Sequence, residues 1–577
     1  MNAMLLTPDS RHTFATLLDA RTLTDSDDTQ PAIIYLETDQ PPITVTRREF
    51  REQVRQHAAG LDALGLRAGD LLIIAHTQNL ESIYAFWGAL LLGAIPSMFP
   101  TLTDKLDPQV YMRGMAELAR LSDVRAVLTT DAFAPELTPH VPCPVYGSED
   151  LTTQAHREGR SAPPAARPST DAVAFLQHSS GTTGLQKGVA LSHRAVLNQL
   201  AHYSAALALS SDDVIVSWLP LYHDMGLIAG FLLPLVQGVP LVLMSPFDWV
   251  QHPALLFRAI HDYRGTLCWL PNFAYNHCAR RIRARDLEGL SLTSMRQLIN
   301  CSEPVQAASH ALFLERFAPL GARPEMLGVS YAMAENTFAV TQTPPGQPAR
   351  LDTIDRAALE HEGRAVPVPH DHPNAHTRVS CGPCIAGTQA RVLDADGAPL
   401  PDRHVGEIAI QSDCLLSGYY RRPDIQPFRE GWYLTGDRGY MADGEVYIVG
   451  RSKDLIINAG KNVYPQDIEA IVNTVTGVHA GRAVAFGVPD EREGTELIAV
   501  VAEVKTEDAE ERRQISAAIR QAVARASTVT VSYVHLVGAK WLIKTSSGKI
   551  ARAANREKWL AERSASRSGG HEPTPGG

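Results

Sequence analysis

The sequence predicts an α/β fold on three observations. Short apolar runs of strand length alternate with stretches of helical periodicity, a helix-start signal falls between two of them, and a glycine- and hydroxyl-rich loop joins one strand to one helix. PAIIYL at 31–36 reads as a strand. Thr46 and Glu49 have the spacing of a capping box, and the helix they start presents Phe50, Val54, Leu61 and Leu64 on one face. LLIIA (71–75) then reads as strand, 80–92 as helix and VRAVLTT (124–130) as strand. Such alternation favours largely parallel sheets with helices packed on their faces. The apolar run 85–99 is too short to span a bilayer, and 226–245 is broken by Pro234, Gln237, Gly238 and Pro240. Both fit a buried helix followed by a buried strand.

The loop itself, QHSSGTTGLQKG at 177–188, lies between the apolar run AVAF and a helical stretch beginning at Ser192. Glycines let backbone N–H groups approach an anion closely, the hydroxyls add donors and Lys187 adds charge, so the loop suits phosphate. It is not a Walker A loop, because Lys187 has neither a glycine directly before it nor a hydroxyl residue directly after it.

Composition narrows the ligand. The 577 residues exceed what one hydrophobic core usually supports, so at least two domains are expected. With 53 Lys+Arg against 63 Asp+Glu there is no basic surplus, which argues against nucleic-acid binding and for a small nucleotide. Seven cysteines in so long a chain make no disulfide framework, and the N-terminus lacks the basic start and apolar core of a signal peptide. A cytoplasmic protein is expected. The CGPC sequence at 381–384 has no second cysteine pair or suitably spaced histidines, so a turn is expected there, not a zinc or redox site.

Further unusual segments follow the loop in order: SWLPLYHDMG (217–226), NCSEP (300–304), YAMAE (331–335), YLTGDRG (433–439), YIVGRSKD (447–454) and KTSSGKI (544–550). Together they resemble the adenylate-forming superfamily of acyl- and aryl-CoA ligases, luciferases and peptide-synthetase adenylation domains, over about residues 30–560. The resemblance implies a large N-terminal domain of stacked mixed sheets flanked by helices (1–450), a small mobile α+β C-terminal domain (451–562) and a disordered tail (563–577). It also implies a reaction in which a carboxylate attacks the α-phosphate of ATP, pyrophosphate leaves, and the acyl-AMP is then attacked by a thiol.

The residue roles are likewise those of the resemblance. Ser179, Ser180, Gly181, Thr182, Thr183, Gly184 and Lys187 would grip the leaving phosphates, and Glu335 would bind Mg²⁺ bridging them. Ser302, Glu303, Tyr331 and Ala334 would border the nucleotide, with Tyr331 stacked near adenine or forming its pocket. Asp437 and Arg451 would hold the ribose. Lys549 would bridge the substrate carboxylate and the α-phosphate, and Lys453 would be the hinge about which Lys549 swings away. His223 would gate the passage between acyl pocket and nucleotide. Asp224 would face that pocket, and in amino-acid-activating relatives an aspartate here holds the substrate amine. The pattern departs from the family at Ala332, Ala334, Gln186 and Ile543, none of which removes a charged group.

The interval between Glu335 and Asp437 is long, and the added length lies in the polar segment 348–382. That insertion, with YHDMGLIAGFLLPL, LMSP, PNFAYNHCARRI and AEN, resembles fatty acyl-AMP ligases, which pass the acyl group to an acyl carrier protein. A fatty acyl-CoA ligase using CoA, an amino-acid-adenylating enzyme and a non-catalytic nucleotide binder are the alternatives. No carrier segment is visible after residue 560, so a separate carrier is expected, with Arg280, Arg281, Arg283 and Arg285 a possible landing helix for it. Trp269 and Leu270, with Asn272 in the same segment, would line the acyl pocket, and the two bulky residues predict a medium-chain or modified acid.

Overall fold

A computed structural model of the chain describes residues 15–25, 28–103, 107–151, 164–178, 187–490, 495–545 and 549–568, with side chains described to 564. The expected elements form where the apolar periodicity puts them: strands Pro31–Leu36, Leu71–Ile74 and Ala126–Leu128, and the helix Leu80–Leu92. The helix Arg47–Ala63 carries the capping box, with the Thr46 N–H donating to Glu49 Oε2 at 2.8 Å and the Glu49 N–H to Thr46 Oγ1 at 3.3 Å. Phe50, Val54 and Leu61 are buried beneath it. The 85–99 run is helix followed by the strand Ile95–Met98, and 226–245 becomes a π-helical stretch, a short helix and the strand Leu241–Met244. No described helix is long and apolar enough to cross a membrane.

Two sheets are parallel. One runs Ile95–Met98, Leu71–Ile74, Ala126–Leu128, Val145–Tyr146; the other runs Leu327–Val329, Gln297–Asn300, Leu267–Leu270, Ile215–Ser217, Leu241–Met244, Pro31–Leu36, and ends in Ile43–Thr46 as an antiparallel edge. Apart from the parallel pair Thr495–Val504 and Tyr533–Val537, the remaining pairings depart from the parallel expectation. Gly188–Ser192 pairs antiparallel with both Val173–His178 and Gly418–Tyr419. Trp432–Ala442 and Glu445–Arg451 form a hairpin whose turn residues Asp443 and Gly444 both have positive φ, 53° and 78°. Asp-Gly suits that left-handed pair, and such a turn matches strand twist, so a hairpin closes where a crossover would need a helix. The mixed sheets of the resemblance are therefore present.

Beyond residue 455 the strands Val478–Asp490, Thr495–Val504 and Tyr533–Val537 pack with the helices Pro465–Val472 and Ala509–Ala526. Their core, with Ile468, Val472, Ile498, Ile519 and Val523, is a buried cluster distinct from the main one. The segment 348–382 forms the strands Leu351–Asp355 and Ala375–Val379, paired antiparallel, with the helix Arg356–Glu362 between them.

Candidate active site

The residues expected on the nucleotide side are carried by four strands and the turn Ala334–Asn336. Asp437 on Trp432–Ala442 sits directly opposite Arg451 on Glu445–Arg451. Their side chains meet, Arg451 Nε donating to Asp437 Oδ1 at 3.1 Å, while the Tyr331 hydroxyl donates to Oδ2 at 2.6 Å. The Asp437 charge in turn raises the Arg451 pKa despite partial burial. Asp437 is thus a strand residue held on both oxygens. Tyr331 is buried, and the polar partner of its hydroxyl is the carboxylate expected to hold ribose.

Glu335 lies in the turn Ala334–Asn336, where Ala334 is buried. The Tyr419 hydroxyl donates to Glu335 Oε1 at 3.0 Å. Burial raises the Glu335 pKa, opposed by its own backbone N–H and by Tyr419. Among the described residues Glu335 makes no salt bridge, so it is a hard oxygen donor short of a cation, the chemistry that Mg²⁺ accepts. Lys187 Nζ stands 5.0 Å from the centroid of the Tyr419 ring, so this tyrosine links the end of the phosphate loop to Glu335. Pairing of Gly418–Tyr419 with Gly188–Ser192 puts it there. Sequence reasoning missed Tyr419; the GYY at 418–420 was the available signal. Ser179, Ser180, Gly181, Thr182, Thr183 and Gly184 lie outside the described residues.

On the acyl side, His223 Nδ1 is 2.5 Å from Asp224 Oδ1, and the same oxygen accepts from the Met225 N–H at 2.8 Å. Burial would raise the Asp224 pKa, but His223, Lys549 and the Met225 N–H together lower it. The charge of Lys549 also acts on the buried Cys301 thiol, so His223, Asp224, Cys301 and Lys549 share one electrostatic neighbourhood. The Lys549 carbonyl accepts from the Thr545 N–H at 2.7 Å, and Lys544 bridges Ile550. Just beyond it, Arg552 grips Glu469 through both carboxylate oxygens at 2.9 and 3.0 Å and Asp454 at 2.5 Å, beside the exposed Lys453. Arg552, also missed from sequence, ties the segment after Lys549 to Asp454, next to the expected hinge residue Lys453.

Several expected pocket residues go elsewhere. Asn272 spends its amide within the protein: Nδ2 donates to Ser309 Oγ at 3.1 Å, and Oδ1 accepts from Asn300 Nδ2 at 3.2 Å and the Gln306 N–H at 3.1 Å. Trp269 and Leu270 are adjacent in the strand Leu267–Leu270 and both fully buried, so their side chains leave opposite faces and cannot wall one tunnel together. Trp269 Nε1 donates to the Tyr203 hydroxyl at 2.7 Å, which donates to Gln342 Oε1 at 2.9 Å. Glu303 accepts from the Phe273 N–H at 2.9 Å, at the start of the helix Asn272–Arg281. Ser302 adopts φ 71°, its hydroxyl 3.8 Å from both Met225 Sδ and Cys301 Sγ. That helix carries Arg280 and Arg281 only, since it ends there; Arg283 and Arg285 lie beyond it and face Asp286. Cys381 and Cys384 are free thiols. A cavity abutting the His223 segment is lined by Leu221, Tyr222, Met98 and Phe99, with His76 and Gln78 on its wall.

With this geometry in hand, residues 24–420 match the family model described as AMP-binding enzyme. The chain belongs to the AMP-binding enzyme family. It is an adenylate-forming ligase and it uses ATP. JamA, a medium-chain-fatty-acid–[acyl-carrier-protein] ligase of Moorena producens (strain JHB), is 32% identical over 584 residues, covering 96% of each chain. A 4-hydroxyphenylalkanoate adenylyltransferase of Mycobacterium marinum (strain ATCC BAA-535 / M) is 32% identical, covering 85% of this chain and 82% of its own. A structure from work on fatty acyl-adenylate ligases of E. coli and L. pneumophila superposes with a TM-score of 0.85 at 28% identity, covering 96% of this chain and 98% of the other.

Proposed function

We propose that this protein activates a fatty acid, of medium length or with a modified chain, as acyl-AMP and delivers the acyl group to the phosphopantetheine thiol of a separate acyl carrier protein. Asp437 and Arg451 hold the ribose, Lys187 and the loop before it hold the β- and γ-phosphates, and Glu335 with Tyr419 presents a carboxylate for Mg²⁺. Bound there, the metal supplies charge neutralisation across the phosphates. Lys549 lies between two anions that must react, and lowering their repulsion is its contribution to the rate. The observation that carries this reading is the hold of Tyr331 and Arg451 on the two oxygens of Asp437, together with the Tyr419–Glu335 hydrogen bond. Rotation of residues 451–562 about Lys453 would then clear the path for the thiol.

Carrier over CoA is supported by the segment 348–382. Arg378 clasps Asp467 with Nη1–Oδ1 at 3.1 Å and Nη2–Oδ2 at 2.7 Å, and Thr528 donates to Glu360, while Lys461 Nζ donates to the Thr528 carbonyl at 2.7 Å. These contacts restrain the C-terminal part against the swing that admits a free thiol. His223 and the Met225 N–H both engage Oδ1 of Asp224, and the amino acids of the panel below test this carboxylate as an amine anchor. The test supplies ATP, Mg²⁺ and a panel of fatty, aryl and amino acids, reads pyrophosphate exchange, and then offers CoA or holo-carrier. Medium-chain-dependent exchange with acyl transfer to the carrier alone is expected; acyl-CoA formation overturns the acceptor, and absence of exchange with every acid overturns the catalytic reading.

A further inference from the structure

Away from the cleft, three chemically different ligand groups meet. His202, on the helix His193–Ala206, points Nε2 at Asp413, 3.1 Å from Oδ1 and 3.2 Å from Oδ2, and Cys414 Sγ lies 3.3 Å from the same Oδ1. The three ligand atoms all lie within 4.8 Å of one another. His202 and Cys414 are buried, whereas the Asp413 side chain is 40% exposed, so the cluster is reachable from solvent on one side.

We propose that His202, Asp413 and Cys414 form a binding site for a borderline divalent cation of the Zn²⁺ type, with solvent as its fourth ligand. Bonds of about 2.0–2.3 Å to nitrogen, oxygen and sulfur at tetrahedral angles set ligand atoms about 3.3–3.5 Å apart. The 3.1 and 3.3 Å edges therefore need to open by a few tenths of an ångström, and the His202–Cys414 edge, within 4.8 Å, closes toward the same value by side-chain motion. An imidazole, a thiolate and a single carboxylate select Zn²⁺, Co²⁺ or Ni²⁺ over Mg²⁺ and Ca²⁺, which require oxygen-rich shells. The site thus differs in chemistry from Glu335, where an oxygen donor stands without sulfur or nitrogen partners.

The backbone under the cluster is held from several sides. Asn198 Nδ2 donates to the Asp413 carbonyl at 3.0 Å, the Cys414 N–H to Ser412 Oγ at 3.1 Å, and the Thr337 hydroxyl to the Cys414 carbonyl at 2.7 Å. Gly387 has no room for a side chain here: a Cβ would fall 2.3 Å from His202 Nε2 and 2.7 Å from Asp413 Oδ1. Thr337, at φ 62°, is two residues past Glu335, and the Leu416 N–H donates to the Glu335 carbonyl at 2.8 Å. The cluster is therefore anchored to the turn that carries the Mg²⁺ ligand, and filling it stiffens that turn from behind. Among the described residues Nδ1 of His202 is buried without a hydrogen-bond partner, so in the metal-free protein the Nε2–H donated to Asp413 is the favoured tautomer. Metal at Nε2 moves that proton to Nδ1, where nothing accepts it. Binding is accordingly weaker than at a site with a complete outer shell and is exchangeable.

Titration of the full-length protein with Co²⁺ tests the site, because a thiolate ligand adds a near-ultraviolet charge-transfer band and tetrahedral coordination intensifies the visible bands. One equivalent is expected to produce both, Zn²⁺ to displace it, and excess Mg²⁺ to leave it unchanged. His202→Gln and Cys414→Ser, both close in shape to the native residues, are expected to weaken binding by more than the about 10–100-fold that loss of an outer partner costs. A Cys143→Ser/Cys384→Ser double variant, which removes the partly exposed thiols, is expected to keep the full spectrum. The thermal midpoint of the wild type is expected to rise with Zn²⁺, and that of Cys414→Ser to stay still. A Co²⁺ spectrum retained in Cys414→Ser, or lost in the Cys143/Cys384 variant, overturns the assignment, as does the absence of any spectral change in a wild-type protein that still folds and exchanges pyrophosphate.

Discussion

Around Asp437 and Glu335, carboxylate oxygens take hydroxyl and guanidinium donors from other strands and turns, whereas around His223 and Trp269 the polar groups pair with each other inside a packed wall. The nucleotide half is set by hydrogen bonds aimed at fixed points; the acyl half is set by what the core leaves open. Damage in the first half should therefore read out as lost chemistry with the fold intact. Damage in the second should read out as lost stability or altered choice of acid.

Lys549 is proposed to bridge the halves, so its loss has the largest expected effect. Lys549→Ala is expected to lower acid-dependent pyrophosphate exchange by about 10²–10³-fold, the range seen when one transition-state donor is removed. Transfer from acyl-AMP supplied ready-made should suffer far less, because that step no longer joins two anions. Exchange left unchanged by the substitution would separate Lys549 from both halves.

Glu335 and Tyr419 give the next effect, and its sign follows from the shifted pKa. Burial lifts the Glu335 carboxyl, while Tyr419 acts against the lift. A protonated Glu335 is a poor metal ligand, so the acid limb of the pyrophosphate-exchange profile should report its titration. Tyr419→Phe removes a donor to the ionised form and should move that limb to higher pH. Stability runs the other way: the folded chain holds this proton more tightly than the unfolded chain, so ionised Glu335 costs stability at neutral pH and the cost is relieved as pH falls through the raised pKa. Glu335→Gln should then abolish exchange while raising the thermal midpoint, a pairing that simple misfolding cannot produce.

How much of this was legible differs between the halves for physical reasons. Asp437 and Arg451 interrupt apolar strands, Glu335 ends the motif YAMAE in a turn and Lys549 follows the polar run KTSSG, and a charge in such places leaves a mark in the sequence. Tyr419 left little, because a tyrosine after a glycine is equally a packing residue, and its role depends on an antiparallel pairing with Gly188–Ser192 that periodicity does not encode. The parallel strands were readable from continuous apolar runs, whereas the hairpin at Asp443–Gly444 needed attention to two turn residues. Trp269 and Leu270 are two bulky residues before PNFAY, yet strand geometry sends such neighbours to opposite faces. Asn272 illustrates the remaining difficulty: an amide has the same letters whether it binds a substrate or three of its own neighbours.

Asn272 and Trp269 therefore offer the finest division of the acyl wall. Asn272→Ala leaves Asn300 Nδ2 and the Gln306 N–H short of an acceptor, and should cost about 1–3 kcal/mol of stability with the acid profile unchanged. Trp269→Gly removes a fully buried ring and leaves the Tyr203 hydroxyl without its donor. If that ring ends the tunnel, the chain-length profile should move toward longer acids as the thermal midpoint falls. If it is core packing alone, the midpoint should fall and the profile stay still. Measuring exchange across acids of increasing length in both variants, each beside its own melting curve, separates a wall that selects from a wall that only holds.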